Sequence, residues 1–353
     1  MQRPSAIASD LLAWFRADRR DLPWRRTRNP YHIWISEIML QQTQVATVIP
    51  YYERFLALFP TIEALADAPE PQVLKAWEGL GYYSRARNMQ KAAREVASLH
   101  GGRMPEGLAA LKALPGIGDY TAGAIASIAF GERVPAVDGN VLRVMARLAL
   151  LTEDVTLPRT KKRVETLAAA LLPEEAPGEL NEALMELGAR ICVPGKPRCD
   201  QCPVAGHCAG LAAGVAATLP VKAKKKKPKA VVLAVALVER EGRLLLVRRP
   251  SEGLWGGMWG FPAAESASVE EASTALAATL TRLGLEAVVG PAVTTLAHTL
   301  THRQLTMPVH PARHASGEVP SGVWVAREKL AEYALPVPFQ KAAQAIDPGP
   351  LFR

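Results

Sequence analysis

From Ser5 to about Cys208, apolar positions recur every three or four residues, the spacing of helices that bury one face. Ser5 is placed to cap a first helix with an apolar face of Ile7, Ala8, Leu11, Leu12, Trp14 and Phe15. Further helices are predicted at roughly 31–44, 46–58, 71–78, 84–99, 107–114, 119–130, 139–151, 160–172 and 179–191. Their breaks fall at Pro, Gly and Asp, as at Phe59–Pro60 and Leu172–Pro173. This is the pattern of an all-α domain of many short helices. Beyond Lys229 the texture changes. Ala230–Val238 and Leu244–Val247 are strand-like runs around a hairpin at Glu239–Arg243. Ser268–Leu283 reads as a helix, and short strands are expected near 292–297, 303–309 and 322–326. The second domain is therefore α+β, and no internal repeat is found.

Between the two lies Val221–Lys229, VKAKKKKPK, with six lysines and a proline. Such a run cannot enter a core and reads as a solvated linker, with phosphate contact as the alternative. The expected organisation is a helical domain at 1–220, a Lys-rich linker at 221–229 and an α+β domain at 230–353. Two domains also suit 353 residues, more than one compact core usually holds.

Composition narrows the class. Hydrophobic residues at 49% and charged residues at 22% argue against a disordered or fibrous chain. No apolar run approaches a membrane span, and MQRPSAIASD lacks the apolar stretch of a signal peptide, so a cytoplasmic location is expected. A net charge of +8 favours a polyanionic partner, nucleic acid before membrane, although scattered surface charge gives the same sum.

The four cysteines, Cys192, Cys199, Cys202 and Cys208, all lie in one short stretch. A disulfide framework spreads its cysteines to tie distant segments, whereas clustered thiols read as metal ligands. Structural zinc usually takes two close ligand pairs, and only one close pair, Cys199 and Cys202, is present here. Four thiolates from one compact loop, 192–208, suit a single four-iron, four-sulfur cluster. Lys196 and Arg198 lie between the first two cysteines, either as solvated charges or as phosphate contacts. With four thiols available, His207 reads as structural.

A second constellation is LPGIGDYTAGAIASIAF, where Leu114–Gly118 makes a tight turn between two helices. Gly116 and Gly118 let the backbone turn sharply and approach a ligand, and their amides at a helix start suit a phosphate. Asp138 follows one helix later in VDGNVLRVMAR. Hairpin plus aspartate resembles the helix–hairpin–helix glycosylases of DNA repair, and the cysteine spacing resembles their endonuclease III and adenine glycosylase branch. In that branch, enzymes with lyase activity carry a lysine just after the hairpin. Tyr120 stands there in this chain, and Leu142 follows Val141, so the resemblance implies a monofunctional enzyme with no amine nucleophile for a Schiff base.

Ile33–Val48, IWISEIMLQQTQVATV, closely resembles adenine glycosylases of the MutY type. Periodicity alone makes Glu37 a surface residue of an amphipathic helix, whereas the resemblance places the family's general acid on it. A carboxyl in apolar surroundings holds a proton near neutral pH, and adenine needs protonation to leave. Asp138 precedes a helix, where dipole and free amides are expected to favour the anion, as a plain N-cap or as the stabiliser of an oxocarbenium-like sugar. The resemblance further implies that Tyr120 and Asn140 orient the centre, that Gln42 and Tyr82 fill the gap left by a flipped nucleotide, and that Arg25 and Glu182 hold the extruded adenine. The alternatives are core packing for Tyr82 and a surface ion pair for Arg25 and Glu182.

Gly253–Pro262, GLWGGMWGFP, resembles the opening of the Nudix-like C-terminal domain of those glycosylases. A Nudix hydrolase needs a glutamate-rich helix for magnesium, and TALAATLTRLG has no acidic residue. Glu265, Glu270 and Glu271 precede that helix and do not restore the pattern. Lesion recognition therefore remains as the domain's role. The family's Phe-Ser-His loop has its nearest match at Leu300, Thr301 and His302, preceded by His298 and Thr299. Thr keeps the hydroxyl, while Leu keeps bulk without stacking.

The expected protein is a two-domain adenine DNA glycosylase with one four-iron, four-sulfur cluster, acting as a monomer on double-stranded DNA containing A:8-oxoguanine or A:G, without membrane contact and nucleoid-associated if bacterial. Two rivals stay open: an endonuclease III-like glycosylase/lyase for oxidised pyrimidines, and a non-catalytic iron–sulfur DNA-binding protein.

Overall fold

A computed structural model describes residues 4–223 and 227–345, so 224–226 of the Lys-rich linker lie outside the described residues. In chain order, α1 (Pro4–Asp18), α2 (Pro30–Leu40), α3 (Val45–Leu58), α4 (Ile62–Asp67), α5 (Glu70–Ala76) and α6 (Ser84–Leu99) come first. Then follow α7 (Leu108–Ala113), α8 (Asp119–Phe130), α9 (Gly139–Leu148), α10 (Pro158–Ala169), α11 (Pro177–Arg190) and the short α12 (Ala209–Ala212). Strands begin with β1 (Lys229–Arg240), β2 (Arg243–Arg248), β3 (Trp259–Gly260) and β4 (Ala263–Ser266). After α13 (Ala272–Arg282) come β5 (Leu285–Val289), β6 (Thr294–Thr299), β7 (Arg303–Gly317), β8 (Gly322–Ala326) and α14 (Val337–Gln344). The chain divides into two compact units, Met1–Ala68 with Asn88–Lys224, and Pro69–Arg87 with Lys225–Arg353. Among the described residues no helix is long and apolar enough to cross a membrane.

The first unit follows helical periodicity. Ile7, Leu11 and Phe15 of α1 are fully buried against Val141, Val144 and Met145 of α9 and Leu180, Ala183 and Leu184 of α11, with Leu12 and Trp14 at the margin. The first helix starts at Pro4, so Ser5 sits inside its first turn and is not the cap; proline suits that turn because its missing N–H has no partner there anyway. Several helices depart from the one-sided pattern, α2 and α8 among them. In α2, capped by Asn29 on the Tyr31 amide, every residue from Ile33 to Met39 is buried, and in α8 the same holds from Thr121 to Ile128. Small side chains permit this: a Cβ on Gly123 would stand 2.4 Å from the Pro135 carbonyl oxygen. Between α7 and α8, Gly116 takes a φ of +77°, and a Cβ there would stand 2.7 Å from that of Asn88.

In the second unit, β1 runs parallel to β7 with Lys229–Glu239 in register with Arg303–Arg313. The predicted hairpin joins β1 to β2 through Glu241 and Gly242, both at positive φ, the geometry a two-residue turn between twisted strands demands. β4 pairs with β1, β5 and β6 pair with β7, and β8 and β3 pair with β2. The central strand is covered on both faces, as its unbroken apolar run requires. Leu233, Val235 and Leu237 pack with Phe261 and Phe339 on one side, whereas Ala234, Ala236 and Val238 lie under Leu276 and Leu280 of α13 on the other. Helix α13 begins at Ala272, four residues later than the predicted Ser268, and Glu270 and Glu271 stay outside it.

Candidate active site

A cavity of about 440 Å³ in the first unit is bounded by residues of the Arg20–Arg25 segment, α2 and its following turn, the start of α9, Tyr120 of α8, and α11. It brings together Arg25, Glu37, Gln42, Tyr120, Asp138, Asn140 and Glu182. Glu37 is 5% exposed, which replaces the surface residue that periodicity suggested. Burial pushes its carboxyl up to about 7; a hydrogen bond from Tyr120 opposes this, the charges of Asp138 and Glu182 reinforce it, and Arg25 opposes it. The Tyr120 hydroxyl donates to Glu37 Oε2 and lies 3.2 Å from Met185 Sδ. Burial, together with Glu37 and Asp138, holds that phenol well above its ordinary pKa, so it remains a donor.

Asp138 caps α9. Its Oδ1 accepts the amides of Asn140 at 2.9 Å and Val141 at 2.7 Å, and its Oδ2 accepts Asn140 Nδ2 at 2.7 Å. The expectation that the helix start simply lowers its pKa is corrected: burial raises it, and the hydrogen bonds and Arg143 only partly offset that. Close packing fixes the spot, since a Cβ on Gly188 of α11 would stand 2.6 Å from Asn140 Cβ. Arg143 then donates to Asn140 Oδ1 at 2.9 Å, to the Gly188 carbonyl at 2.7 Å and to the Cys192 carbonyl at 2.7 Å. A hydrogen-bonded chain thus runs from Asp138 through Asn140 and Arg143 to the cysteine loop.

Glu182 is buried and Arg25 part-buried, 3.5 Å apart with little side-chain exposure, which sets aside the exposed ion pair. Arg25 Nη2 donates instead to Glu186 Oε2 at 2.9 Å. Burial alone would raise the Glu186 carboxyl, but hydrogen bonds from Arg20 and Arg25 bring it down to about 2. Glu182 goes the other way, raised by burial against the opposing charges of Arg25 and Arg28. Gln42 is exposed at the turn after α2, with a left-handed φ of 58°.

Sequence reading did not find Arg143, Met185 or Glu186. The signal was present: Asn140, Arg143 and Arg147, and likewise Glu179, Glu182 and Glu186, repeat at helical spacing and so share a helix face.

The four cysteine thiols are free and, with the fully buried Arg147, ring a small cavity. Among the described residues no set of three or more His, Cys, Asp or Glu converges as a single-ion site. Burial raises the thiols of Cys199, Cys202 and Cys208, that of Cys202 to about 11, while the amide of Val204 faces Cys202 and those of Leu211 and Gly210 face Cys208. Arg147 Nη1 lies 3.3 Å from Cys192 Sγ. Amides and a guanidinium aimed at four part-buried sulfurs are the surroundings an anionic iron–sulfur centre requires, so the donor set fits the four-iron, four-sulfur cluster. His207 bonds Asp10 of α1 through Nε2 at 2.9 Å, a structural role. Lys196 and Arg198 are exposed on the loop, and Gly118 opens α8 at the hairpin.

In the second unit, Tyr82 is 45% exposed at a left-handed φ of 47°, while Tyr83 is the buried member of the pair. The Tyr82 hydroxyl shares a hydrogen bond with Thr301 Oγ1. Both border a cavity of about 670 Å³ that also includes Trp255, His298, Leu300 and His302. Leu300 is half-buried and packs on the sheet core; Thr301 and His302 are exposed at the β6–β7 turn.

Comparison with known proteins completes the picture. The pattern of the HhH-GPD superfamily base excision DNA repair proteins matches residues 35–174, that of the iron-sulfur binding domain of endonuclease III matches 192–208, and that of the NUDIX domain matches 233–345. Adenine DNA glycosylase of Homo sapiens is 39% identical over 312 residues, 73% of this chain and 57% of that protein. Adenine DNA glycosylase of Buchnera aphidicola is 34% identical over 253 residues, 71% of this chain and 72% of that protein. The structure of a thermostable thymine-DNA glycosylase aligns with a TM-score of 0.54 at 32% identity, covering 60% of this chain and 97% of that one. Fold and site together define a helix–hairpin–helix base-excision protein with an iron–sulfur loop and a Nudix-like C-terminal domain. The chain belongs to the adenine DNA glycosylase family. It spans under two thirds of the length of its mammalian relatives.

Proposed function

We propose that this protein hydrolyses the N-glycosidic bond of adenine mispaired with 8-oxoguanine, or with guanine, in double-stranded DNA and leaves an abasic site. Glu37, half protonated near pH 7, gives its proton to N7 of the extruded adenine, so the base departs neutral. Asp138 faces the electron-poor sugar left behind, which water then captures at C1′ while its released proton restores the Glu37 carboxyl. Asn140 holds the Asp138 carboxylate in place, and Tyr120 orients Glu37. Arg25 and Glu182 hold the base, a guanidinium donating to ring nitrogens and a carboxylate accepting from the amino group. Gln42 and Tyr82, each exposed in a left-handed turn, are the candidates to enter the duplex in place of the flipped nucleotide. Amides at Gly116 and Gly118, with Lys196 and Arg198, would bind phosphates.

The cluster, when bound, ties the 192–208 loop together and places those two cations. Residues 1–220 then form the glycosylase domain and 230–353 the recognition domain, joined by 221–229. Leu300, Thr301 and His302 read the base opposite adenine. The protein works as a monomer in the cytoplasm, on nucleoid DNA if the source is bacterial.

The observation that carries this reading is the buried Glu37 carboxyl, bonded by Tyr120, in the same cavity as the helix-capping Asp138. A single-turnover assay on duplexes with A:8-oxoguanine, A:G and thymine glycol tests it, with borohydride added in parallel. Adenine release from the first two, no action on thymine glycol and no trapped covalent complex are expected. Excision of thymine glycol with trapping establishes the pyrimidine lyase instead, and binding without release establishes a non-catalytic protein.

A further inference from the structure

Glu186 borders the cavity, and nothing above gives it work in the reaction. It stands one helical turn beyond Glu182 on α11, with no side-chain exposure. Its carboxylate is saturated. Oε1 accepts from the Arg20 amide at 3.3 Å and Nε at 2.8 Å, and Oε2 accepts from Arg20 Nη2 at 2.7 Å and Arg25 Nη2 at 2.9 Å. Glu182 is the opposite case. Arg25 Nε and Arg28 Nη1 approach it only to 3.5 and 3.6 Å, and among the described residues none donates a hydrogen bond to it. Arg25 cannot close that gap freely: Glu186 holds Nη2, the Arg20 carbonyl accepts from Nη1 at 3.2 Å, and the guanidinium carbon lies 5.1 Å from the Phe15 ring centre.

We propose that Glu186 is a positioning residue for adenine specificity: by holding Arg25 it keeps the Glu182 carboxyl open to the exocyclic amino group of the extruded base. The inference rests on the adenine reading above and adds its specificity determinant. Adenine carries one donor group on its edge, the 6-amino group, so it needs an acceptor with spare lone pairs. A carboxylate drawn into a tight guanidinium pair gives up about half of its roughly four lone-pair sites and its free orientation, so the amino group meets a misplaced acceptor. With Glu186 neutralised, Arg25 is free to close on Glu182, whose Oε1 already lies 3.5 Å from its Nε.

The test is single-turnover kinetics of the full-length protein on duplexes with 8-oxoguanine opposite adenine or opposite purine, which lacks the 6-amino group. Wild type, Glu186→Gln, Glu182→Leu and the double variant are compared across protein concentration. Glu186→Gln is expected to slow adenine excision about tenfold, the cost of one misplaced hydrogen bond, and to change purine excision less than about twofold. The double variant is expected to match Glu182→Leu on adenine within about twofold, because one interaction is removed by either route. Equal loss on both bases, no loss on adenine, or multiplying losses in the double variant overturns the proposal. Melting temperature and cluster absorbance confirm folding; should Glu186→Gln not fold, Glu186→Asp, which keeps the charge at shorter reach, carries the same comparison. Wild type inert on both duplexes overturns the adenine reading itself.

Discussion

The hydroxyl of Tyr120 on α8 donates to Oε2 of Glu37 on α2, a contact between two helices that each bury most of their surface. The carboxyl is thereby fixed in a dry place, where its proton is worth more than in water. Burial raises Glu37 to about 7 even though the Tyr120 hydrogen bond favours the anion.

Two pH effects of opposite usefulness follow from that value. A general acid acts protonated, so excision is expected to fall as pH rises through about 7, roughly tenfold per further unit. Stability moves as well. A folded-state pKa raised above the ordinary 4.5 means stabilisation that is fully present below about 4.5 and lost as pH climbs through 7. Glu37→Gln is therefore expected to be inactive yet more stable than wild type above pH 7, by up to about 3 kcal/mol, with the difference vanishing near pH 4. Urea unfolding of both proteins across that range measures it.

Arg143 joins Asn140 to the Cys192 carbonyl, so its loss is expected to reach both ends. Arg143→Gln should slow base release by about a hundredfold, since the Asp138 support loosens, and should lower cluster content in the same preparation. Excision rate and visible absorbance, read side by side, check the two consequences. An unchanged cluster with full activity contradicts the connection.

At the hairpin, Gly116 meets two restraints at once: a φ of +77° and the Asn88 Cβ 2.7 Å from where a Cβ would stand. Gly116→Ala is expected to cost about 1–3 kcal/mol and to weaken duplex binding beyond what the loss of stability explains. Gly118→Ala, at an extended backbone with open space around it, is the control and should cost far less. Denaturant melts and salt-dependent binding separate the terms.

In the second unit Thr301 shares its hydroxyl with Tyr82. Thr301→Val keeps the shape and removes that bond, and it is expected to lower the preference for A:8-oxoguanine over A:G several-fold, with A:G excision little changed. Leu300→Phe restores a stacking ring and is expected to raise the same preference. Competition between the two duplexes in one tube reports it.

How far the sequence foretold this depended on how the elements are stabilised. An amphipathic helix such as α1 was legible because one apolar face meets one core. For α2, buried nearly all round, periodicity put Glu37 at the surface, and only the family resemblance placed it correctly. In the α+β domain the hairpin of β1 and β2 was legible from its turn, but β3 is two residues long and held by pairing with β2, which no local pattern marks. Strand β7 runs on to Gly317, well past the expected 309, because β1 and β5 flank a stretch whose His310, Pro311 and His314 look unlike a strand. Glu186 and Arg143 escaped because a charged residue on a helix reads as solvated until the partner helices are in place.

The most direct measurement is single-turnover release of adenine from an A:8-oxoguanine duplex by wild type, Glu37→Gln and Asp138→Asn under one set of conditions near pH 7. The expected result is complete release by wild type and a loss of about a thousandfold or more in each variant, with duplex binding retained. Adenine released at the wild-type rate by either variant contradicts the assignment of acid and anion to this pocket.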